Sequence, residues 1–295
     1  MATSFYQKCS EFKTRPFQHH QPLQGEAPRA WENFRQPKLW PCDFVKDWEW
    51  KALLGAGVDG FVSEVTILGK SYALKVFWNT MAPPEPEKYW AFQRECQNSA
   101  LFEMITSAVH TASAQNEAVY LHPRPSTRDD AIQNLRAFSD GGRQDGQFQN
   151  LPVAVRVIGE TMPRLRRCYG WTTVSPADIA RAITRGLPRR LHASDVLRTI
   201  SPETGDRNAI VYEYIPHRKS DPVVAQQEID FLWQAGFQLT FPTRPEDWRD
   251  GVLLDLSAIR YPWHPAFLRS RLTRPKFKDL VAYAPNNRPL RSNQP

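Results

Sequence analysis

Four groups of residues in this chain have the types and spacing to handle a phosphate. Gly55, Gly57 and Gly60 lie in the run Gly55-Ala56-Gly57-Val58-Asp59-Gly60-Phe61-Val62. Closely spaced glycines let backbone N–H groups approach an anion that side chains would hold off. Lys75, in Tyr72-Ala73-Leu74-Lys75-Val76-Phe77, supplies a cation for the same anion. Glu95 lies twenty residues beyond Lys75, and a carboxylate there could orient the ammonium. Glu103 could take the same role, but its spacing from the lysine fits less well. Asp255 stands in the apolar run Val252-Leu253-Leu254-Asp255-Leu256-Ser257 and offers a hard oxygen ligand to a magnesium ion. The expectation from these residue types is a phosphate-binding site with a place for Mg2+.

The elements that must position these residues can be read from the flanking pattern. After Gly60 the β-formers Phe61, Val62, Val65 and Ile67 lead to a tight turn at Leu68-Gly69-Lys70, and a second β-rich run carries Lys75. That predicts a hairpin. A dinucleotide-binding turn joins a strand to a helix, with an acid about twenty residues on; the residue twenty positions after Gly55 is Lys75, a cation. A Walker loop needs Gly-Lys-Ser/Thr, which is absent here. On the hairpin reading Val62 and Ala73 lie beside Lys75 and could flank whatever it binds. Residues 47–54 alternate as a first strand that leads into the glycine loop.

Composition narrows the class. The chain has 295 residues, 41% of them apolar, with ten Trp and twenty-five Pro. It is long enough for a sizeable core, in one large or two small domains. Mean hydropathy is −0.55, and no run of about 18 apolar residues occurs, so no membrane partner is expected. The N-terminal residues lack a hydrophobic signal core, and Cys9, Cys42, Cys96 and Cys168 are scattered without CxxC pairing. Those features predict an intracellular protein with neither a zinc site nor a disulfide framework. A net charge of +7 allows an acidic partner such as nucleic acid, or a plainly solvated basic surface. His19-His20 lack the further ligands that a metal site needs.

Residues 1–45, rich in Gln, Pro and Arg, read as a flexible arm. A helix is expected from about Pro86 to Val109, carrying Glu95. Residues 111–150 hold few large apolar side chains and include Gly141-Gly142, which predicts a flexible insertion. Strands are expected at 153–158 and 165–174. Ser175-Pro176-Ala177-Asp178 has the cap, proline and acid of a helix start, with the helix ending near Gly186. Arg181, Arg185, Arg189 and Arg190 form a basic patch, more a solvated face than a nucleic-acid site because no aromatics are interleaved. A buried strand follows over 209–216, then a helix from Asp221 to Ala235 stopped by Gly236, then an apolar strand over 252–257.

The glycine loop, the lysine on the second strand after it and the helix glutamate resemble a protein kinase. There the loop covers ATP, the lysine pairs the α/β-phosphates, and the glutamate orients the lysine. The resemblance implies that the segment after the buried strand, with Glu213 and Ile215, meets the adenine through its backbone, and that Asp255-Leu256-Ser257 stands for Asp-Phe-Gly. The catalytic loop departs from the pattern. Taking Gly236-Phe237 as its start puts Phe241 where the base should be and Glu246 where the magnesium-binding Asn should be. Forty residues follow Asp255, without an Ala-Pro-Glu motif.

A narrower resemblance is to the fungal kinase-like family of the Fta-two subunit of the Sim-four inner-kinetochore complex. The matching pieces are Gly55 to Lys75 with Phe77, Phe92-Gln93-Arg94-Glu95-Cys96, Arg167-Cys168-Tyr169-Gly170-Trp171, Val211-Tyr212-Glu213-Tyr214-Ile215, Gly236-Phe237, Leu254-Asp255-Leu256-Ser257 and Pro262 to Phe267. They span roughly residues 48–268. The resemblance implies an α+β, shortened protein-kinase-like fold with a five-stranded antiparallel N-lobe at 46–216, a reduced helical C-lobe at 217–268 and a basic tail at 269–295. It implies a catalytically impaired kinase-like binding module in the nucleus, with protein partners such as kinetochore or centromere subunits; the basic tails separately offer phosphate contacts to nucleic acid. An active ATP-dependent phosphotransferase using an unusual acid such as Asp247 is the alternative.

Overall fold

The predicted turn at Leu68-Gly69 sits in the middle of an antiparallel sheet. The computed structural model describes residues 4–44, 48–184, 205–218, 220–240, 245–267 and 272–282. Strands β1 (Glu49–Ala56), β2 (Gly60–Ile67) and β3 (Lys70–Phe77) form a meander. Ile67 pairs with Lys70, which leaves Leu68 and Gly69 as a two-residue turn. Both have positive φ, 49° and 77°, so this is the turn type whose twist suits a hairpin. β4 (Val119–Leu121) and β5 (Val155–Val157) pair with each other elsewhere. β6 (Cys168–Val174) and β7 (Arg207–Glu213) complete a five-stranded sheet of order β1-β2-β3-β7-β6, antiparallel throughout. With the helices around it the fold is α+β.

Strand alternation gives the sheet two apolar faces. Phe61, Val65, Ile67, Leu74, Val76, Ala209 and Val211 form one cluster, together with Ile179 of a helix described below. Ala73, Phe77, Ile210, Tyr212 and Cys168 point the other way, into the main core. Val62 pairs with Lys75 in the β2–β3 register, so both lie on that second face, as does Ala73 two residues away.

Two short helices, α1 (Phe5–Lys13) and α2 (Trp31–Arg35), lie before the sheet. The main core packs against α3 (Ala91–Ala114), which is buried on every side from Ala91 to Phe102. An all-round buried helix needs cover beyond one sheet. The cover comes from both ends of the chain. Gln93 Nε2 donates to the Phe12 carbonyl at 3.0 Å, and Asn98 Nδ2 donates to the Leu256 and Ile259 carbonyls at 2.8 and 3.0 Å. Next come α4 (Arg128–Arg136), α5 (Asp140–Asp145), α6 (Pro176–Thr184) and α7 (Pro222–Gln234). The expected start of α6 is present: the Asp178 N–H donates to Ser175 Oγ at 3.1 Å. Its expected end near Gly186 lies outside the described residues, as do Arg185, Arg189 and Arg190; Arg181 pairs with Asp178. α7 stops where predicted. Gly236 has φ +95°, and a Cβ there would lie 2.4 Å from the Ala131 carbonyl oxygen. After it come four two-residue strands, β8 (Gln238–Leu239), β9 (Trp248–Arg249), β10 (Val252–Leu253) and β11 (Ile259–Arg260), and a last helix, α8 (Phe277–Ala282).

Several expectations from the sequence need correction. Residues 4–44 are no flexible arm: Phe12, Phe17, Phe34, Leu39 and Trp40 are buried in the main core. Backbone bonds tie the segment down, His19 N–H to Leu39 O at 2.8 Å and Leu39 N–H to Phe17 O at 2.9 Å. Single aromatics on an extended, proline-rich chain can each fill a pocket without any helical or strand period. Residues 111–150 likewise hold two helices. α4 begins with a capping box between Thr127 and Asp130, α5 is capped by Ser139, and Ala131, Leu135 and Phe138 are buried. Gly142 there allows close packing: its Cβ would lie 2.0 Å from the Arg136 carbonyl oxygen. The helix expected from Pro86 begins at Ala91 and runs on to Ala114. The apolar strand expected at 252–257 is β10 followed by a 3-10 turn at Leu256–Ala258. The tail is in part docked, since Leu272 is buried and Arg274 pairs with Asp230 of α7. The main core runs from Phe12 to Tyr261 and so crosses the boundary expected at residue 216. Among the described residues, no helix is long and apolar enough to cross a membrane.

Candidate functional site

Lys75 leaves β3 toward α3 because of the strand's alternation, and α3 meets it with Glu95. The Lys75 Nζ and Glu95 Oε1 form a buried ion pair. Nζ also donates to Asp255 Oδ1 at 3.1 Å. Three residues separated by 20 and 180 positions in the chain therefore converge on one ammonium. Glu103 does not join them; it accepts the Cys168 N–H at 2.9 Å and holds the start of β6.

The turn that carries Asp255 is fixed from both sides. Asp255 Oδ1 accepts the Ser257 N–H at 3.1 Å and the Ser257 hydroxyl at 2.8 Å, closing the 3-10 turn on itself. Arg94, one residue before Glu95, donates to the Ser257 carbonyl at 3.0 Å. Arg94, Glu95 and Asn98 thus make α3 the rigid element that holds both the lysine and the Asp255 turn. Sequence reasoning missed Arg94 and Asn98, although Asn98 lies four residues from Arg94 and three from Glu95, at helical spacing. It also missed Tyr212. The Tyr212 hydroxyl donates to Glu95 Oε2 at 3.0 Å, and the Arg166 guanidinium stacks 3.8 Å from the Tyr212 ring centre. Nothing in the local pattern of β7 marks that tyrosine as a partner of Glu95.

The electrostatics follow from burial and from the charge count. Burial pushes the Glu95 carboxyl up to about 7, against the pull of Lys75. Burial would also raise Asp255, but Lys75 and the Ser257 donors outweigh it and hold the carboxyl down at about 2. Burial works to neutralise Lys75, yet Asp255 and Glu95 keep its ammonium above the ordinary lysine range. The result is a cationic lysine beside an ionised Asp255 at neutral pH.

The glycines divide into two kinds. Gly60 pairs with Phe77, and a Cβ there would lie 2.0 Å from the Val76 carbonyl oxygen, so the sheet itself requires glycine. A Cβ on Gly55 or Gly57 would meet nothing within 4 Å, and neither residue has positive φ. The fold makes no demand for glycine at those two places, which leaves room for a close-approaching group above β1 and β2. Val62 is half-buried and Ala73 buried on the lysine's face. Glu213 turns its carboxylate away to Arg164 at 2.5 Å and to the Arg167 N–H at 2.9 Å. Ile215 is buried, and its carbonyl accepts from Arg249 at 3.3 Å.

Phe241, expected at the position of a catalytic base, lies outside the described residues. Glu246 is exposed in a short 3-10 turn, and the Asp247 carbonyl accepts the Leu254 N–H at 2.7 Å, one residue from Asp255. Among the described residues, no group of three or more His, Cys, Asp or Glu side chains is placed to hold a metal ion. A magnesium ion at Asp255 would therefore need further oxygens from its ligand and from water. A separate polar concavity of about 660 Å3 lies away from Lys75, lined among others by Arg29, Tyr120, Phe148 and Arg156. No family model, curated protein or solved structure matches the chain.

Proposed function

We propose that the chain is a catalytically impaired, kinase-like binding module that takes ATP with Mg2+ in the cleft between the sheet and the Asp255 turn. The observation that carries this reading is the convergence of Lys75, Glu95 and Asp255 on one ion-paired centre. A protein kinase needs that lysine–glutamate pair and that aspartate together. The sheet order, with the lysine strand at its centre, and the unforced glycines Gly55 and Gly57 support the same reading.

Each residue then has a role. Lys75 would neutralise phosphate charge, and Glu95 would keep its ammonium aimed, itself held by Tyr212. Asp255 would hold the metal ion, which supplies charge neutralisation to the phosphates when bound. Val62 and Ala73 would pack on the base, and the backbone around Glu213 and Ile215 would border it. Transfer of a phosphoryl group needs a base near the nucleophile, and Phe241 stands where the pattern wants one. Binding rather than catalysis is therefore the proposed output. On the family resemblance its partners are protein subunits of a fungal kinetochore or a related scaffold in the nucleus. The alternative of an active phosphotransferase, using an unusual acid such as Asp247, rests on the retained Gly55, Gly57, Gly60, Lys75 and Asp255.

Thermal unfolding with and without Mg-ATP tests the reading, beside a Lys75→Met variant. Ligand at about 100 times its Kd stabilises the native state by about 2.7 kcal/mol. For a chain of this size that raises Tm by several degrees, at about 2–4 °C per kcal/mol. The expected result is a rise in wild type that is lost in the variant. An unmoved Tm at saturating Mg-ATP would overturn the proposal.

A further inference from the structure

Asp59 is the only residue with a charged side chain in the loop from Gly55 to Gly60, and it is tied at both ends. Its carbonyl accepts the Trp78 N–H at 3.0 Å. Its carboxylate accepts the Tyr89 hydroxyl at 2.8 Å and lies 3.3 Å from the Ser257 hydroxyl. Ser257 lies 2.8 Å from Asp255 on its other side, so one hydroxyl proton serves two carboxylates. Tyr89 in turn lies over the Arg94 guanidinium, 3.8 Å from its ring centre, and Arg94 holds the Ser257 carbonyl at 3.0 Å. Asp59, Tyr89, Arg94 and Ser257 form a closed circuit that joins three separate segments: the glycine loop, the start of α3 and the Asp255 turn. A further bond, Trp78 Nε1 to the Gly57 carbonyl at 2.9 Å, pins the loop to the end of β3. The neighbouring Val58 is left 89% exposed at the tip.

We infer that this circuit is a latch that holds the glycine loop down against the Asp255 turn, and that Asp59 gates the cleft against anions. A polyphosphate entering beside Lys75 meets the Asp59 carboxylate in addition to Glu95 and Asp255. Like charges at that range repel, so the loop has to lift Asp59 from Tyr89 and Ser257 before the anion can settle. The latch itself is independent of any ligand; its action as a gate rests on the nucleotide reading above.

Amide hydrogen exchange of the full chain without ligand tests the latch, comparing wild type with Asp59→Ala and Tyr89→Phe. Both changes fall on partly exposed side chains of the loop circuit, and each removes the charge-assisted bond between the two residues. Loss of such a bond raises the population of the open loop about tenfold, so the amides of residues 56–60 exchange about tenfold faster in both variants. Unchanged exchange in both variants would overturn the latch. Mg-ATP affinity, from the thermal shift, then tests the gate. Asp59→Ala binds more tightly than wild type if Asp59 repels the anion, and equal or weaker binding overturns the gate. Faster exchange with no Mg-ATP shift in any of the three proteins upholds the latch and removes the nucleotide reading instead.

Discussion

Three carboxyl groups, Glu228, Glu95 and Asp255, each couple folding to pH. Glu228 on α7 is fully buried; one carboxyl oxygen accepts the Leu253 N–H at 2.8 Å, and the other has no partner among the described residues. Burial pushes its carboxyl well up, against the pull of that one hydrogen bond. The folded chain therefore keeps a proton that an unfolded glutamate releases near pH ~4.3. Since the native state binds more protons, stability falls as pH rises above that value. Glu95, raised to about 7, acts in the same direction up to neutrality. Asp255, held at about 2, acts in the opposite sense in a lower window. Its contribution is present above pH ~4 and is lost as the pH falls toward 2. Stability should peak between pH ~4 and ~5 on these three groups. Glu228→Gln keeps the shape and the Leu253 bond without a charge to bury. The variant should lie closest to wild type near pH ~4 and exceed it by a growing margin toward pH 8, read from urea midpoints. The same pH dependence in both proteins would mean that Glu228 is not the buried acid responsible.

At the scale of the element, the loop between β1 and β2 shows what glycine is for. Gly60→Ala drives a methyl group into the Val76 carbonyl oxygen, which is backbone of the paired strand and has nowhere to go. The strand must shift, at a cost of about 1–3 kcal/mol or more. Gly57→Ala meets open space and should change stability by less than about 1 kcal/mol. If a phosphate approaches that backbone, Gly57→Ala weakens Mg-ATP binding while leaving the unliganded Tm nearly unmoved. Equal destabilisation by the two variants would place both glycines in the framework alone. The sequence could not separate them, since a glycine needed for strand packing and one left open are the same letter. The hairpin itself was legible from alternation and turn chemistry, and Lys75 and Glu95 from their spacing along two regular elements. Asp59, Tyr89 and Ser257 were not, because they meet through three loops with no shared period.

Over the whole molecule, regular elements were easier to read than irregular ones. The stop of α7 at Gly236 and the capped start of α6 follow from local chemistry. The role of residues 4–44 does not, because their aromatics contact residues far along the chain: Phe12 lies 4.9 Å from the His264 ring, and Trp31 lies 5.3 Å from that of Trp263. With Phe17 against Phe92 and Gln93 bonded to the Phe12 carbonyl, the segment is also a structural wall of α3, the helix that aims Glu95 at Lys75. Burying Phe12, Phe17, Phe34, Leu39 and Trp40 stabilises by about 1.5–3 kcal/mol each. That gross gain is of the order of a domain's entire net stability of about 5–15 kcal/mol. Phe34, 0% exposed, is the cleanest probe because it lies far from the site in sequence and packs wholly inside the core. Phe34→Ala should cost about 3–5 kcal/mol, seen as a lower denaturant midpoint in one transition shared by tryptophan fluorescence and far-ultraviolet circular dichroism. A detached arm predicts no change in that midpoint. An integral wall also predicts that the variant loses the Lys75–Glu95 geometry only when the whole chain unfolds, so any rise in Tm that Mg-ATP gives wild type should be as large in the variant.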